Sequence, residues 1–495
     1  MAATIGVAAV PASAATTLNI GLPSDPVPTS YDPHDYATGQ RFFLESLYDQ
    51  LFFADGKGGV LPGLALTGKQ PNAKTLVIAL RDNAKFSDGT ALTGAVVKAN
   101  LDLRNTKKDG KAIVALNKFA TGETNEITSV EANGNTVTVN FKSDQAKAAS
   151  LFTDTSGMIV SAAAAANVPS MDKAPAGSGP YTLVASKTVK GTTYTVTKNK
   201  THWRADQYDF DTVVYKVYSN PQALANALVA KQIDLSPQVN SKVVNFLKGK
   251  KVANLSLGGS ISGIIFFDKT GTTVARVKNP GMEDKNVRLA LSYATDRAAF
   301  TNAMFKGSTP TANFAPKGNA AYDAALNTKY AYNPTKAKAL LKAAGYPNLK
   351  VSTIVMPDAS DRAQILKAQW AKVGVTLDVK VTTQIGEFFG AVGTQPLGLW
   401  DQSTGDVAGT SAFILNAFYN LQKATNPVIE AALGKSFAGV KGATKELAAA
   451  MVNEAWVIPM TEKLDYTFYN TTKIAKPTKG NDGTVVPNLW QIAAK

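Results

Sequence analysis

Between residues 284 and 381 one local pattern recurs: a capping residue, an apolar stripe at helical spacing, a glycine, and then extended chain. Asp284 can cap a helix in which Val287, Ala290, Leu291, Ala294, Ala298 and Phe305 form one stripe, with Gly307 placed to end it. Asn333-Pro334 opens the next helix, which runs through Leu340 and Leu341 and stops at Gly345. A third helix from Asp361 to Val373 closes at Gly374 and leads directly into the alternating strand Val375 to Val381. Helices and strands that alternate in this way bury their apolar faces only by layering helices on a sheet, so the fold class is α/β.

The first half is read on the same terms. An extended segment at Thr17 to Gly21 precedes a Pro-rich and Asp-rich loop, and a helix is expected from about Gln40 to Phe52 with Phe43, Leu47 and Leu51 on one face. From Leu61 to about Ala166 short strands, among them Leu76 to Leu80 and Val137 to Phe141, surround one helix near 92–103, and this block reads as a small inserted domain. Strands follow at Tyr194 to Thr197 and Val213 to Tyr218, then a helix capped by Asn220 with Pro221 in its first turn. At roughly 150 residues per domain, 495 residues hold two to four domains. No linker run separates them, which favours interleaved lobes over domains in series.

Charge and cysteine usage narrow the function. The 52 basic residues exceed the 37 acidic ones, for a formal charge of +15. Only eight of the 52 are arginine and the lysines are scattered, which argues against nucleic-acid binding. With no cysteine in the sequence, disulfides, thiolate metal sites and a lipid-carrying cysteine are excluded for the chain as written. The uncharged start, residues 1–14, ends in Ala12-Ser13-Ala14 and reads as the remnant of a secretory signal lacking its basic beginning. An exported protein, periplasmic or associated with the cell envelope, is therefore expected.

An ordered series of short motifs then points to a family. It runs Tyr31-Asp32-Pro33, Leu61-Pro62-Gly63-Leu64-Ala65, Leu80-Arg81 with Phe86-Ser87-Asp88-Gly89-Thr90, Gly177-Ser178-Gly179-Pro180-Tyr181, and Asn199 with His202-Trp203. It continues through Val287 to Leu291, Ala294-Thr295-Asp296-Arg297, and Tyr332-Asn333-Pro334 onward to Ala344-Gly345-Tyr346. In this order the motifs resemble the extracellular solute-binding proteins of ABC importers, family 5, the oligopeptide, dipeptide and nickel-binding type. The resemblance implies a bilobal periplasmic-binding-protein-like fold of type II with an extra domain, its two mixed-sheet lobes joined by a hinge. It places residues 15–50, 170–265 and 478–495 in lobe I, 51–169 in the inserted domain and 266–477 in lobe II. It also implies capture of a solute, most simply an oligopeptide, and delivery to permease subunits without bond chemistry, by a monomer. No cofactor and no metal are expected: two isolated histidines, His34 and His202, without cysteine form no protein-only soft site, which leaves only a chelated metal held by few protein atoms. The alternative ligand is an oligosaccharide or another small polar solute, and acidic envelope polymers are a further expected partner for the +15 surface.

Ligand residues are less sharply marked. Peptide binders of this type carry a Trp-x-x-Asp-Tyr-like segment whose aspartate pairs with the peptide amine, whereas this chain reads Leu399-Trp400-Asp401-Gln402-Ser403-Thr404-Gly405-Asp406. Asp401 or Asp406 is the candidate anchor, and Trp400 the candidate stacking surface. Tyr36, Thr38, Ser178, Ser262 and Gly263 are candidates by position. Backbone is expected to approach closely at Gly177 to Gly179, and Arg288 and the Asp296-Arg297 pair are expected to share one helix, in a buried or half-buried ion pair. One enzyme reading competes: Ser170-Met171-Asp172-Lys173, Tyr218-Ser219-Asn220 and Lys269-Thr270-Gly271 imitate the motifs of penicillin-recognising serine acyl enzymes. Pro169 and Pro175 leave no room for the buried helix that would carry Ser170 and Lys173 on one turn.

Overall fold

The computed structural model describes residues 16–28, 30–35, 40–56, 59–106, 127–142, 144–145, 147–237, 239, 241–383, 385–403, 405–415, 419–482 and 484–495. The signal-like start, Tyr36 and Thr38 lie outside these described residues. In chain order the first lobe begins with strand β1 (Thr17–Leu22) and helix α1 (Arg41–Leu47). A small domain follows, built from β2 (Ala65–Asn72), β3 (Thr75–Leu80), α2 (Gly94–Thr106), β4 (Ile127–Asn133) and β5 (Thr136–Phe141). Its four strands form a separate sheet in the order β2-β3-β5-β4, and alternation along β3 buries Leu76, Ile78 and Leu80.

The main sheet resumes with β6 (Tyr181–Leu183), β7 (Thr193–Lys198), β8 (Thr212–Val217), α3 (Pro221–Val229), β9 (Leu235–Ser236) and α4 (Ser241–Gly249). Strand β10 (Ala253–Phe266) leads into the second lobe, with α5 (Lys285–Ala294), α6 (Arg297–Met304), α7 (Pro334–Ala343), β11 (Lys350–Val355), α8 (Ser360–Ala371) and β12 (Thr376–Val381). The lobe is completed by β13 (Leu397–Ser403), α9 (Val407–Leu415), α10 (Pro427–Phe437) and α11 (Ala443–Asn453), and β14 (Val457–Tyr469) returns to the first lobe. The sheet order is β13-β10-β14-β9-β1-β8-β7-β6, with the two-residue strand Thr309–Pro310 pairing on β14.

Separate cores explain the two lobes. Leu18, Ile20 and Leu22 of β1 pack with Phe43, Tyr194, Tyr215 and Leu489 in one core. Ile264, Phe266, Leu291, Trp370 and Met451 belong to another, and Leu51, Ile78 and Val139 to that of the small domain. Met158, Val160 and Ala164 pack in the first lobe's core. Among the described residues β10 and β14, of 14 and 13 residues, run through both lobes. At roughly 3.3 Å per residue each spans about 45 Å. Their pairing is continuous from Ala253↔Tyr469 to Ile265↔Val457 except for irregularities at Gly258/Ser260 and Ser262/Gly263. Gly259 there has φ +134°, a conformation open to glycine. Irregularities of this kind bend a strand pair, and here the one at Gly258/Ser260 falls between the stretches of β10 that pack in the two cores.

Local expectations met tertiary structure in two places. The helix expected to reach Phe52 ends at Leu47, because the Leu51 amide donates to the Gly157 carbonyl (2.8 Å) and Gln50 bridges to Met158. Phe43 and Leu47 therefore belong to the first lobe's core and Leu51 to that of the small domain. The long stripe from Val287 to Phe305 is two helices, since Thr295 is extended and Asp296 caps α6 by accepting the Ala299 amide (2.9 Å). Arg288 and Arg297 consequently lie on different helices, and neither takes the expected ion-pair role. Arg288 donates to the Met282, Glu454 and Ala455 carbonyls, and Arg297 to the Ser292, Tyr330 and Pro459 carbonyls.

Candidate functional site

Two features of the crossing place polar groups from both lobes together. The loop after β9 feeds α4, which packs on Tyr466 and Phe468 of β14 from the first-lobe side. From the second lobe, α6 packs on the same strand through Thr301 and Thr461, whose hydroxyls are 2.6 Å apart, and α8 begins beside it. Between them is a cavity of about 340 Å³. Its wall includes Ser241, Lys242 and Asn245 of α4, Asn302 of α6, Phe305, Lys306 and Ser308 just after it, Asp361 of α8, and Leu464 and Tyr466 of β14. Lys242 Nζ lies 2.6 Å from Asp361 Oδ2, so one ion pair joins the lobes across this space. Both side chains are about half exposed, and such a pair contributes about 0–1 kcal/mol.

The next residue of α8 belongs to a second, denser network. Arg362 Nη1 donates to Asp401 Oδ1 at 2.7 Å and reaches Ser262 Oγ at 3.4 Å. Lys463 Nζ stands 3.7 Å from Asp401 and 3.3 Å from Asp465, whose carboxylate accepts from Ser260 Oγ at 2.6 Å. Register produces this convergence, because Asp401 of β13 is opposite Ser262 of β10, which is itself opposite Thr461 of β14. Burial alone would raise the Asp401 carboxyl's pKa, but Lys463 and Arg362 outweigh it and hold the group below its ordinary range. Burial would lower Lys463, and Asp401 and Asp465 keep it raised instead.

A family model described as bacterial extracellular solute-binding proteins, family 5 (middle), matches residues 59–425. The chain belongs to this family. The di/tripeptide-binding protein 1 of Pseudomonas aeruginosa is 28% identical over 416 residues, covering 77% of this chain and 74% of that one. The dipeptide-binding protein of Escherichia coli is 26% identical over 400 residues, 74% and 72% of the two chains. Among solved structures, the periplasmic binding protein DppA of Helicobacter pylori in complex with the peptide STSA superposes with a TM-score of 0.81, at 18% identity, covering 97% of this chain and 98% of that one. The family-5 fold, two lobes with a hinge and a small extra domain, is therefore the fold of this solute-binding protein. Among the described residues no helix is long and apolar enough to cross a membrane.

Within this family-5 chain the sequence candidates fall in different places. Ser262 and Asp401 are in the charged network just described. Gly263 is opposite Trp400 and Pro459 at the second strand irregularity, where an added Cβ would lie 2.5 Å from the Ile458 carbonyl oxygen. Trp400 is buried and stacks on Phe314, with ring centroids 5.7 Å apart and planes within 6°. Its indole N–H has no hydrogen-bond partner among the described residues. Asp406 is exposed at the start of α9 and accepts the Gly409 amide at 3.0 Å. Ser178 is buried away from the cavity wall, between Gly177 and Gly179, where the Leu47 carbonyl oxygen would lie 1.9 Å from a Gly177 Cβ and 2.7 Å from one on Gly179. That close approach is the one the glycines were expected to serve.

Sequence reading missed Lys242, Lys306, Ser308, Asp361, Arg362 and Lys463. One signal was available for Arg362. Arginine is scarce in this lysine-rich chain, and a rare arginine beside a helix start suits bidentate or buried work that lysine does less well. Two motif groups singled out earlier do other work. Thr90 bonds Asp88 through its amide (3.0 Å) and hydroxyl (2.6 Å), with Gly89 at φ +86°, which makes the turn. Ser170 is exposed in a single 3-10 turn and donates to the Asn167 carbonyl, whereas Lys269 is buried in the second lobe and donates to the Phe266 carbonyl. Burial, chiefly, pushes the Lys269 ammonium down to about 7.

Proposed function

We propose that the protein is the exported solute receptor of an ABC importer, that it captures oligopeptides between its lobes, and that it hands them to permease subunits without making or breaking a bond. The observation that carries this reading is the polar cavity walled by both lobes where β10 and β14 cross. A ligand there touches both lobes only when they are closed, so its binding shifts the population towards the closed form that a transporter can read. Backbone-rich ligands suit walls of amide, hydroxyl and ammonium groups with room for water. The peptide-binding relatives support peptides as the solute class. A sugar-stacking reading has less support, because Trp400 already spends one ring face on Phe314.

Exposed Ser170 and buried Lys269 sit in different lobes, which supports a receptor over the serine acyl enzyme reading. The small domain, the +15 surface and the monomeric state belong to the same reading, with the lysines facing acidic envelope polymers. Native mass spectrometry of the purified protein, before and after mild denaturation, tests it. A ladder of intact co-purified peptides is expected. A sugar mass, or a covalent adduct of Ser170 with a β-lactam, contradicts it.

A further inference from the structure

We infer that the interlobe cavity anchors an anionic group of its solute, so that the preferred ligands are acidic peptides held by a carboxylate and not by a free amine. This rests on the peptide reading above and names the class of peptide. The first observation concerns the group that an amine would need. Asp401 is already matched by Arg362 at 2.7 Å and by Lys463 at 3.7 Å, and Asp465 shares Lys463. Two carboxylates and two cations leave this network balanced, and an incoming ammonium would have to displace a charge-assisted hydrogen bond.

The second observation is the composition of the cavity wall itself. Its one carboxylate among the described residues, Asp361, is tied to Lys242 at 2.6 Å. Lys306 lines the same space and has no acidic partner within ion-pair distance among the described residues. The hydroxyls beside it have their oxygens engaged. Ser308 Oγ accepts the Leu464 amide at 3.0 Å, and the Tyr466 hydroxyl accepts from Lys248 Nζ at 2.8 Å. Their protons are left to be donated. Glu462, on the same strand face as Leu464, is outside the wall and accepts the Lys317 amide. On the wall Lys242 and Lys306 thus stand against one carboxylate among the described residues, with Lys248 behind Tyr466, and the site offers donors where an anion needs them.

Calorimetric titration of ligand-stripped protein tests the inference with Ala-Glu-Ala, Ala-Gln-Ala, Ala-Lys-Ala and N-acetyl-Ala-Glu-Ala. The glutamate peptide is expected to bind about tenfold or more tighter than the glutamine one, with N-acetylation costing less than about threefold. In K306M the glutamate advantage should shrink to about threefold or less, with K306R restoring it and thermal unfolding unchanged in both. Tighter binding of Ala-Lys-Ala, or loss of binding on N-acetylation, overturns the anionic anchor while leaving the peptide reading intact. Glucuronate and glucose separate the two ideas further. Binding of glucuronate alone, weakened in K306M, supports the anionic anchor and sinks the peptide reading, and binding of glucose without glucuronate sinks both. No binding of any probe also overturns both.

Discussion

Two aspartates in this protein each sit inside a cluster of cations, and they do different jobs. Asp49 follows α1 at the junction of the first lobe and the small domain, with a side chain 1% exposed. Its Oδ2 is 2.8 Å from His202 Nε2 and accepts the Trp203 indole N–H at 2.8 Å, and Arg204 stands 3.9 Å from Oδ1. The Arg204 amide donates to His202 Nδ1, so the ring proton facing Asp49 is on Nε2. Arg81 stacks on Trp203 at 3.5 Å and closes the other side. Asp401 has an equally short contact to Arg362 but is 31% exposed and lies beside the cavity between lobes. A sealed network fixes two bodies together. A partly open one, shared by strands and a helix at a bend, can tolerate the bodies moving.

The largest expected effect comes from opening the sealed network. Asp49→Ala leaves buried cations and an indole N–H without their partner, and the expected loss is about 3–5 kcal/mol of stability by thermal or urea unfolding. Ligand affinity measured well below the lowered melting point should be unchanged. Asp401→Ala, in its more solvated setting, should cost about 1 kcal/mol or less. Equal losses at the two positions would break the comparison.

Acid unfolding sharpens it. For Asp49 burial would raise the carboxyl, and His202, Arg204 and Trp203 outweigh that and lower it; Asp401 is lowered too. A carboxyl depressed on folding contributes stability that is present in full above its unfolded value near 3.8 and is lost as the pH falls through the folded one. The wild-type advantage over Asp49→Asn should therefore hold at pH 7 and shrink below about pH 4. The same difference for Asp401→Asn should be smaller at every pH, because solvent screens it.

The smallest expected effect is also the most diagnostic. If Asp401 serves its own network, Asp401→Asn changes affinity for Ala-Glu-Ala by no more than about threefold, on the tighter side because Arg362 is released. A tenfold loss would make Asp401 the ligand's amine anchor after all.

These pairs also show what the sequence made legible. Elements set by neighbouring residues were readable: the Asn220, Asp284 and Asn333 caps are all made, and Gly345 and Gly374 do take positive φ at the helix ends. Gly177 was readable because a Gly-x-Gly-Pro run implies close backbone. The α5–α6 break was not, because one apolar stripe continues across Thr295 while Trp370, 75 residues away, bonds its hydroxyl. The site was least legible. Arg362, Asp401 and Lys463 come from a helix and two strands, and only strand register with one long arginine brings them together. Spacing alone offers the Trp400-Asp401 dipeptide as a ligand anchor and does not reveal which carboxylate already has a cation.

Closure about the β10–β14 crossing is open to direct measurement. The chain has no cysteine, so Lys200→Cys in the first lobe and Lys441→Cys in the second, both exposed, give two unique sites for spin labels. With the co-purified ligand stripped and then added back, a shorter and narrower distance distribution between the labels is expected. An identical distribution with and without saturating ligand would contradict it.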